Sequence, residues 1–132
     1  VTIASAALLY ALATDDFTLR YVVTHTERNL PLLYKLAAFW GGQNGSILFW
    51  ILVLGIYASV AARQLRRQNQ ALAPYVLAIL HGVLAFFLIL SLFAANPFQV
   101  MNFVVQDGQG LDPLLQNYWM VIHPIGLYFG YV

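Results

Sequence analysis

The chain has no cysteine in its 132 residues. A disulfide framework, a thiolate metal site and a CxxC redox pair are therefore excluded within it, and any thiol chemistry must come from a partner. Charge is the second scarcity. Only 8% of the residues are charged against 61% hydrophobic, too little polar surface to keep a soluble domain of this size in water. Also missing are a P-loop, an HExxH helix, a Ser/His/Asp grouping with a plausible elbow, and a basic patch interleaved with aromatics. Hydrolase and nucleic-acid functions fall away, no nucleic-acid partner is expected, and the lipid bilayer is the natural solvent.

What charge there is clusters, leaving Gly45 to Ala62 and Ala71 to Gln106 free of it. At about 1.5 Å per residue, residues 45–62 span roughly 27 Å and 75–95 roughly 32 Å, close to a hydrocarbon core of about 30 Å. Each can cross once. The apolar opening, 1–13, is too short to span. It reads as the end of a transmembrane helix rather than a signal peptide, because no basic flank precedes it and Thr14, Asp15 and Asp16 make a poor cleavage site. The closing run, 121–132, reads as the start of another helix. The expected architecture is an all-α, polytopic transmembrane protein with two complete spans and two truncated ones.

Net charge is +1 and becomes informative only when mapped onto the loops. The stretch 63–74 carries Arg63, Arg66 and Arg67 and no acid, which assigns it to the cytoplasm. Each arginine at mid-bilayer would cost about 2.5 to 3.5 kcal/mol. With that loop inside, 14–44 and 96–120 are extracytoplasmic, and Trp40, Trp50 and Trp119 lie on the outer side or at its edge.

In the first outer segment, Pro31 opens a run in which Leu32, Leu33, Leu36, Phe39 and Trp40 recur at helical spacing. With Glu27, Arg28 and Lys35 as polar partners, it reads as a short interfacial helix in the headgroup region. In the second segment Asn96-Pro97 ends a helix, and Asp107-Gly108-Gln109-Gly110 before Pro113 is turn chemistry. Asp107 and Asp112 therefore read as turn and cap residues rather than as an acid and base pair.

Two constellations carry chemistry. In Trp40-Gly41-Gly42-Gln43-Asn44-Gly45-Ser46, followed by Trp50, the glycines let the backbone approach a flat ligand between two indoles. The plain alternative is an aromatic belt at the membrane interface. In Trp119-Met120-Val121-Ile122-His123-Pro124, Pro124 fits the first turn of a helix and puts His123 near its start. The positive end of a helix favours a neutral imidazole, whose ring nitrogen can bind a metal. From its position alone His123 reads more readily as a polar interface residue. His81, inside a span, is expected to make an interhelical hydrogen bond. His25, beside Thr24, Thr26 and Glu27, reads as solvated.

Three blocks of the chain, LPLLYKLAAFWGGQNGSILFW, then ANPF, then DGQGLDPLLQNYWMVIHPIGLYFGYV, occur in order around one hairpin of spanning helices. Together they resemble the Trp-rich WWD domain of the cytochrome c-type biogenesis proteins, the CcmF/CcsA/CcmC haem-handling family. The resemblance covers most of 17–132. It departs from the family pattern at Asn44, where Glu is usual, at Ile125, where a second Pro is usual, and at Asn117-Tyr118.

The resemblance implies a haem shelf on the outer face, with His123 as an axial ligand of the haem iron. Trp40, Gly41, Gly42, Trp50, Trp119, Asp107 and Gly108 would line that shelf. It implies haem b as the bound substrate and membership of a haem lyase complex that attaches haem covalently to apocytochrome c. The family's second external axial His and its intramembrane His residues belong to later segments, so the fragment alone is not expected to be active. The implied partners are the haem chaperone CcmE, apocytochrome c and a CcmH-type apocytochrome-handling protein. The implied location is the bacterial inner membrane with the haem site facing the periplasm. The alternatives are a haem delivery subunit without ligation activity, and a non-haem structural or quinone-facing subunit of a respiratory complex.

Overall fold

The computed structural model describes residues 1–68, 70–103 and 105–132. Asn69, in the expected cytoplasmic loop, and Val104, in the second outer segment, lie outside the described residues. The elements are α1 (Thr2–Ala13), α2 (Arg20–His25), α3 (Leu32–Gly41), α4 (Gln43–Gln68), α5 (Ala73–Phe93), a 3-10 turn (Pro113–Leu115) and α6 (Tyr118–Tyr131). The described residues form no β-sheet. A single antiparallel bridge joins Leu19 to Val100.

Two helices, α4 and α5, are long and apolar enough to cross a membrane. They pack as an antiparallel pair. Helix α5 leaves Ile79, Phe86, Ile89, Leu92 and Phe93 exposed on its flanks. So much bare apolar surface on one helix calls for a lipid or protein cover rather than water. Helix α4 runs past Ala62 as far as Gln68, so Arg63, Arg66 and Arg67 lie on its last turns rather than in a loop. Arginine is a good helix former, and cations in the final turns complement the negative end of the helix dipole.

The core sits at one end, where the end of α1, α2, α3 and the start of α4 meet. Leu8, Leu12, Phe17, Val22, Phe39 and Leu48 are buried there. Segment 14–44 is thus a packed unit. Lys35 shows why. It is buried, and its Nζ donates to Asp15 Oδ2 at 2.5 Å and to the Arg28 carbonyl at 3.3 Å. The ion pair pins α3 to the turn that leaves α1.

The second outer segment clasps the first. Arg20 N–H donates to the Gln99 carbonyl and Met101 N–H to the Thr18 carbonyl, both at 2.9 Å. Further along, Gln109 N–H reaches the Val23 carbonyl at 2.7 Å and Gly110 N–H the Thr26 carbonyl at 3.1 Å. These bonds satisfy carbonyls at the end of α2, which a helix of only six residues cannot satisfy itself.

Candidate functional site

Helix α6 begins at Tyr118 because the Asn117 side chain accepts the Trp119 N–H at 3.0 Å, a side-chain N-cap. Pro124 therefore falls inside the helix and not in its first turn. Without an N–H it cannot bond the Met120 carbonyl four residues back. His123 lies beyond the first turn, where the charge of the helix end has largely faded. The earlier start has another consequence. Trp119 and His123 stand four residues apart in continuous helix and so share one face.

That face is open. Trp119, Met120, Ile122 and His123 wall a cavity of about 470 Å³. His123 is exposed, and Trp119 keeps 73% of its surface exposed; among the described residues its aromatic partner is Tyr118, edge-on with 5.6 Å between centroids. The wall is therefore an imidazole beside an indole with apolar neighbours. It suits a flat apolar ligand that carries a metal needing a nitrogen donor. Among the described residues no three His, Asp or Glu stand together as a metal cluster. His123 offers a single ligand.

The other tryptophans are placed elsewhere. Trp40, at the end of α3, packs against Phe49 at 5.7 Å, and Phe49 meets Tyr128 of α6 edge-on at 5.2 Å. Trp50 packs on Phe87 of α5 at 4.8 Å. Both indoles join helices, and neither walls the cavity beside His123. Gly41 lies against Leu111, where an added Cβ would come within 3.1 Å of Leu111 Cδ1.

Asp107 and Gly108 are engaged in the clasp between the two outer segments. Asp107 Oδ1 accepts the Arg28 N–H at 3.1 Å and the Gly108 N–H at 2.8 Å. These two bonds, that from Arg28 foremost, hold its carboxyl below the usual aspartate range. A Cβ at Gly108 would stand 1.9 Å from the Thr26 carbonyl oxygen, so only glycine permits this approach. Asp112 caps the 3-10 turn by accepting the Leu114 N–H at 2.9 Å.

The tight α3–α4 junction is held by Tyr21, which the sequence did not single out, and by His25, which it placed in solvent. The Tyr21 hydroxyl donates to the Ala38 carbonyl at 2.8 Å and accepts the Gly42 N–H at 3.1 Å. Burial pushes this phenol's pKa far above its usual value. His25 stacks on Tyr21 with centroids 4.2 Å apart. Its ring edge rests on Gly42, where an added Cβ would stand 2.1 Å from Nε2. His25 is thus half-buried and packed, not solvated, because Gly42 leaves room for the ring. The cue available in the sequence was the four-residue spacing of Tyr21 and His25, which puts both rings on one face.

His81 likewise departs from expectation. Its Nδ1 lies 2.7 Å from the Leu77 carbonyl of its own helix, so the hydrogen bond is intrahelical.

Residues 40–132 match the family described as Cytochrome C assembly protein. The chain is 38% identical to the cytochrome c-type biogenesis protein NrfE of Haemophilus influenzae over 99% of its own length and 21% of that protein's. It is 38% identical to the cytochrome c-type biogenesis protein CcmF of Escherichia coli, over 95% of the chain and 20% of the relative. For the biogenesis protein ccl1 of Rhodobacter capsulatus the identity is 37%, over 100% and 20%. The chain thus spans about a fifth of the length of the curated relatives it matches. No solved structure gives a significant match. With a family match over most of its length and two helices fit to cross a membrane, the chain belongs to the cytochrome c assembly protein family.

Proposed function

We propose that the protein containing this chain binds haem b on the outer face of the bacterial inner membrane and presents it for covalent attachment to apocytochrome c. The observation that carries the reading is the shared exposed face of α6, where His123 and Trp119 wall one cavity. A side chain as apolar as Trp119 exposed beside a free imidazole is costly in water and useful against a porphyrin.

In this reading 45–62 and 75–95 are complete spans of a polytopic protein, and the WWD segments 14–44 and 96–120 face the periplasm. His123 supplies one axial nitrogen to the iron. Trp119 lies along the porphyrin face one helical turn earlier and holds the plane against α6. The clasp between Asp107, Gly108 and the end of α2 fixes the loop that leads into α6, so the two side chains are presented on a rigid mount. Trp40 and Trp50 contribute by holding α3 to α4 and α4 to α5.

Haem brings two vinyl groups, and each cysteine of an apocytochrome adds its S–H across one of them, forming a thioether without loss of electrons. The chain has no cysteine to compete for those vinyls. Haem would be received from CcmE and the reduced apocytochrome from a CcmH-type partner. The second axial ligand would come from other parts of the full-length protein.

The full-length protein purified in detergent from haem-replete cells tests the reading. A Soret band that follows the protein through purification is expected. A preparation without haem absorbance would overturn the proposal in favour of a structural or quinone-facing membrane subunit.

A further inference from the structure

A second cavity, of about 520 Å³, opens where α4 begins and α5 ends, and among its walls are Arg20, Thr24, His25, Gln43, Asn44 and Gln99. Its lining is all polar or small apart from the Tyr21 ring, and it contains no carboxylate. Among the described residues the Arg20 side chain has no acidic partner, since the ion pair found joins Lys35 to Asp15. Gln43 and Asn44 begin α4, whose first bond to the preceding backbone runs from Ser46 N–H to the Gly42 carbonyl. The N–H groups before Ser46 have no partner within the helix. The cavity therefore gathers a guanidinium, carboxamides and the first turn of a long helix; Asn44 Nδ2 already donates to the Asn96 carbonyl at 3.2 Å, and the lining holds no carboxylate to answer Arg20.

His25 adds an acceptor. Its Nδ1 lies 3.0 Å from the Tyr21 carbonyl, which can only accept, so Nδ1 carries the proton. Nε2 then presents a lone pair, and among the described residues no hydrogen-bond donor reaches it. A matching ligand carries one negative charge for Arg20 and a neighbouring hydroxyl to donate to His25.

Position names the class of ligand. Ala94 and Asn96 close the wall at the end of α5. Immediately before them, Leu92 and Phe93 are 64% and 86% exposed. A polar, basic cavity thus sits at the rim of a spanning pair, directly above bare apolar surface. We propose that this cavity seats the headgroup of an anionic, hydroxyl-bearing phospholipid of the phosphatidylglycerol type. Its phosphate meets Arg20 and the α4 amides, its glycerol hydroxyl donates to His25, and its acyl chains lie along Leu92 and Phe93. A zwitterionic headgroup would bring an ammonium beside Arg20 into a lining that has no carboxylate to answer it. The assignment rests on α4 and α5 crossing the membrane and does not depend on haem binding at His123.

The test uses the full-length protein in phosphatidylcholine nanodiscs containing equal minor amounts of phosphatidylglycerol and phosphatidylethanolamine. Mass spectrometry of the lipids retained through repurification gives the readout. Wild type is expected to enrich phosphatidylglycerol about fivefold over phosphatidylethanolamine, the ratio one basic side chain near the membrane surface supplies. Arg20→Gln is expected to return the ratio to that of the mixture, and Arg20→Lys to keep most of the enrichment. Unchanged circular dichroism and elution establish that both variants fold. Equal retention of the two lipids by wild type, or undiminished enrichment in Arg20→Gln, would overturn the assignment. So would release of phosphatidylglycerol from wild type by inorganic phosphate, which marks a free-phosphate site. The Soret band of the same samples reports separately on haem.

Discussion

Tyr21 and Gly42 are joined by a hydrogen bond in which the buried phenol accepts the glycine N–H at 3.1 Å while donating its own proton to the Ala38 carbonyl. One side chain on a six-residue helix thereby satisfies both sides of the break between α3 and α4.

Tyr21→Phe keeps the ring and removes both bonds, leaving a buried carbonyl and a backbone N–H without their partner. The expected cost is about 1 to 3 kcal/mol per stranded group. Thermal unfolding of the full-length protein in detergent, followed by circular dichroism, reads it. An unchanged midpoint would mean that the junction is held by something else.

Lys35 is buried and Asp15 partly buried in their ion pair, and among the described residues Asp15 Oδ1 has no partner. Lys35→Met should destabilise by about 3 kcal/mol or more, because the carboxylate is stranded. Adding Asp15→Asn should recover much of that loss, since it removes the stranded charge and keeps a residue type that tolerates the left-handed backbone at position 15 (φ 54°). A double variant no more stable than Lys35→Met would contradict the electrostatic account.

Burial lowers the pKa of His25 below the usual histidine value, a shift only partly opposed by its bond to the Tyr21 carbonyl. The unfolded chain therefore takes up the proton first as pH falls through about 6.5. Between that point and the lower native value the unfolded state binds more protons, so stability decreases with acidification and then levels off. His25→Gln should flatten this part of the profile relative to wild type. Parallel curves for the two proteins from pH 8 down to about pH 5 would refute the burial argument.

Much of the fold could be read from the sequence, and the reasons are specific. The charge-free runs that became α4 and α5 are long enough that helix is the only structure able to hide their backbone in lipid. Pro31 marked the start of α3 because its missing N–H costs nothing there. Helix ends were less legible. Asn117, a good cap, moved the start of α6 ahead of Pro124, and the arginines after Ala62 extended α4 instead of ending it. The candidate site was legible in its residue types but not in its grouping. Trp40 and Trp50 resemble Trp119 in composition, yet their partners Phe49 and Phe87 come from long-range packing that no local pattern records. Tyr21 stayed hidden and His25 was read as solvated for the same reason, since their meaning depends on Gly42 reaching them from the α3–α4 junction.

Trp119 differs from the other two in being free to meet a ligand. Trp119→Ala in the full-length protein should weaken haem retention by about 1 kcal/mol, roughly fivefold, with little change in unfolding. Trp50→Ala should do the reverse and lower stability with little effect on retained haem. Titration of detergent-solubilised protein with haem, beside thermal unfolding, separates the two. Equal effects of both substitutions on haem would show that the cavity beside His123 is not the porphyrin seat.

The most direct measurement concerns His123 itself. Full-length His123→Gly, purified in detergent with and without added imidazole, is compared with wild type for haem content, Soret position and maturation of cytochrome c in cells. Loss of outer-face haem and of maturation, with the spectrum restored by imidazole entering the vacated space, is the predicted result. Wild-type haem content, an unshifted Soret band and normal maturation in the variant would contradict the assignment of His123 as an iron ligand.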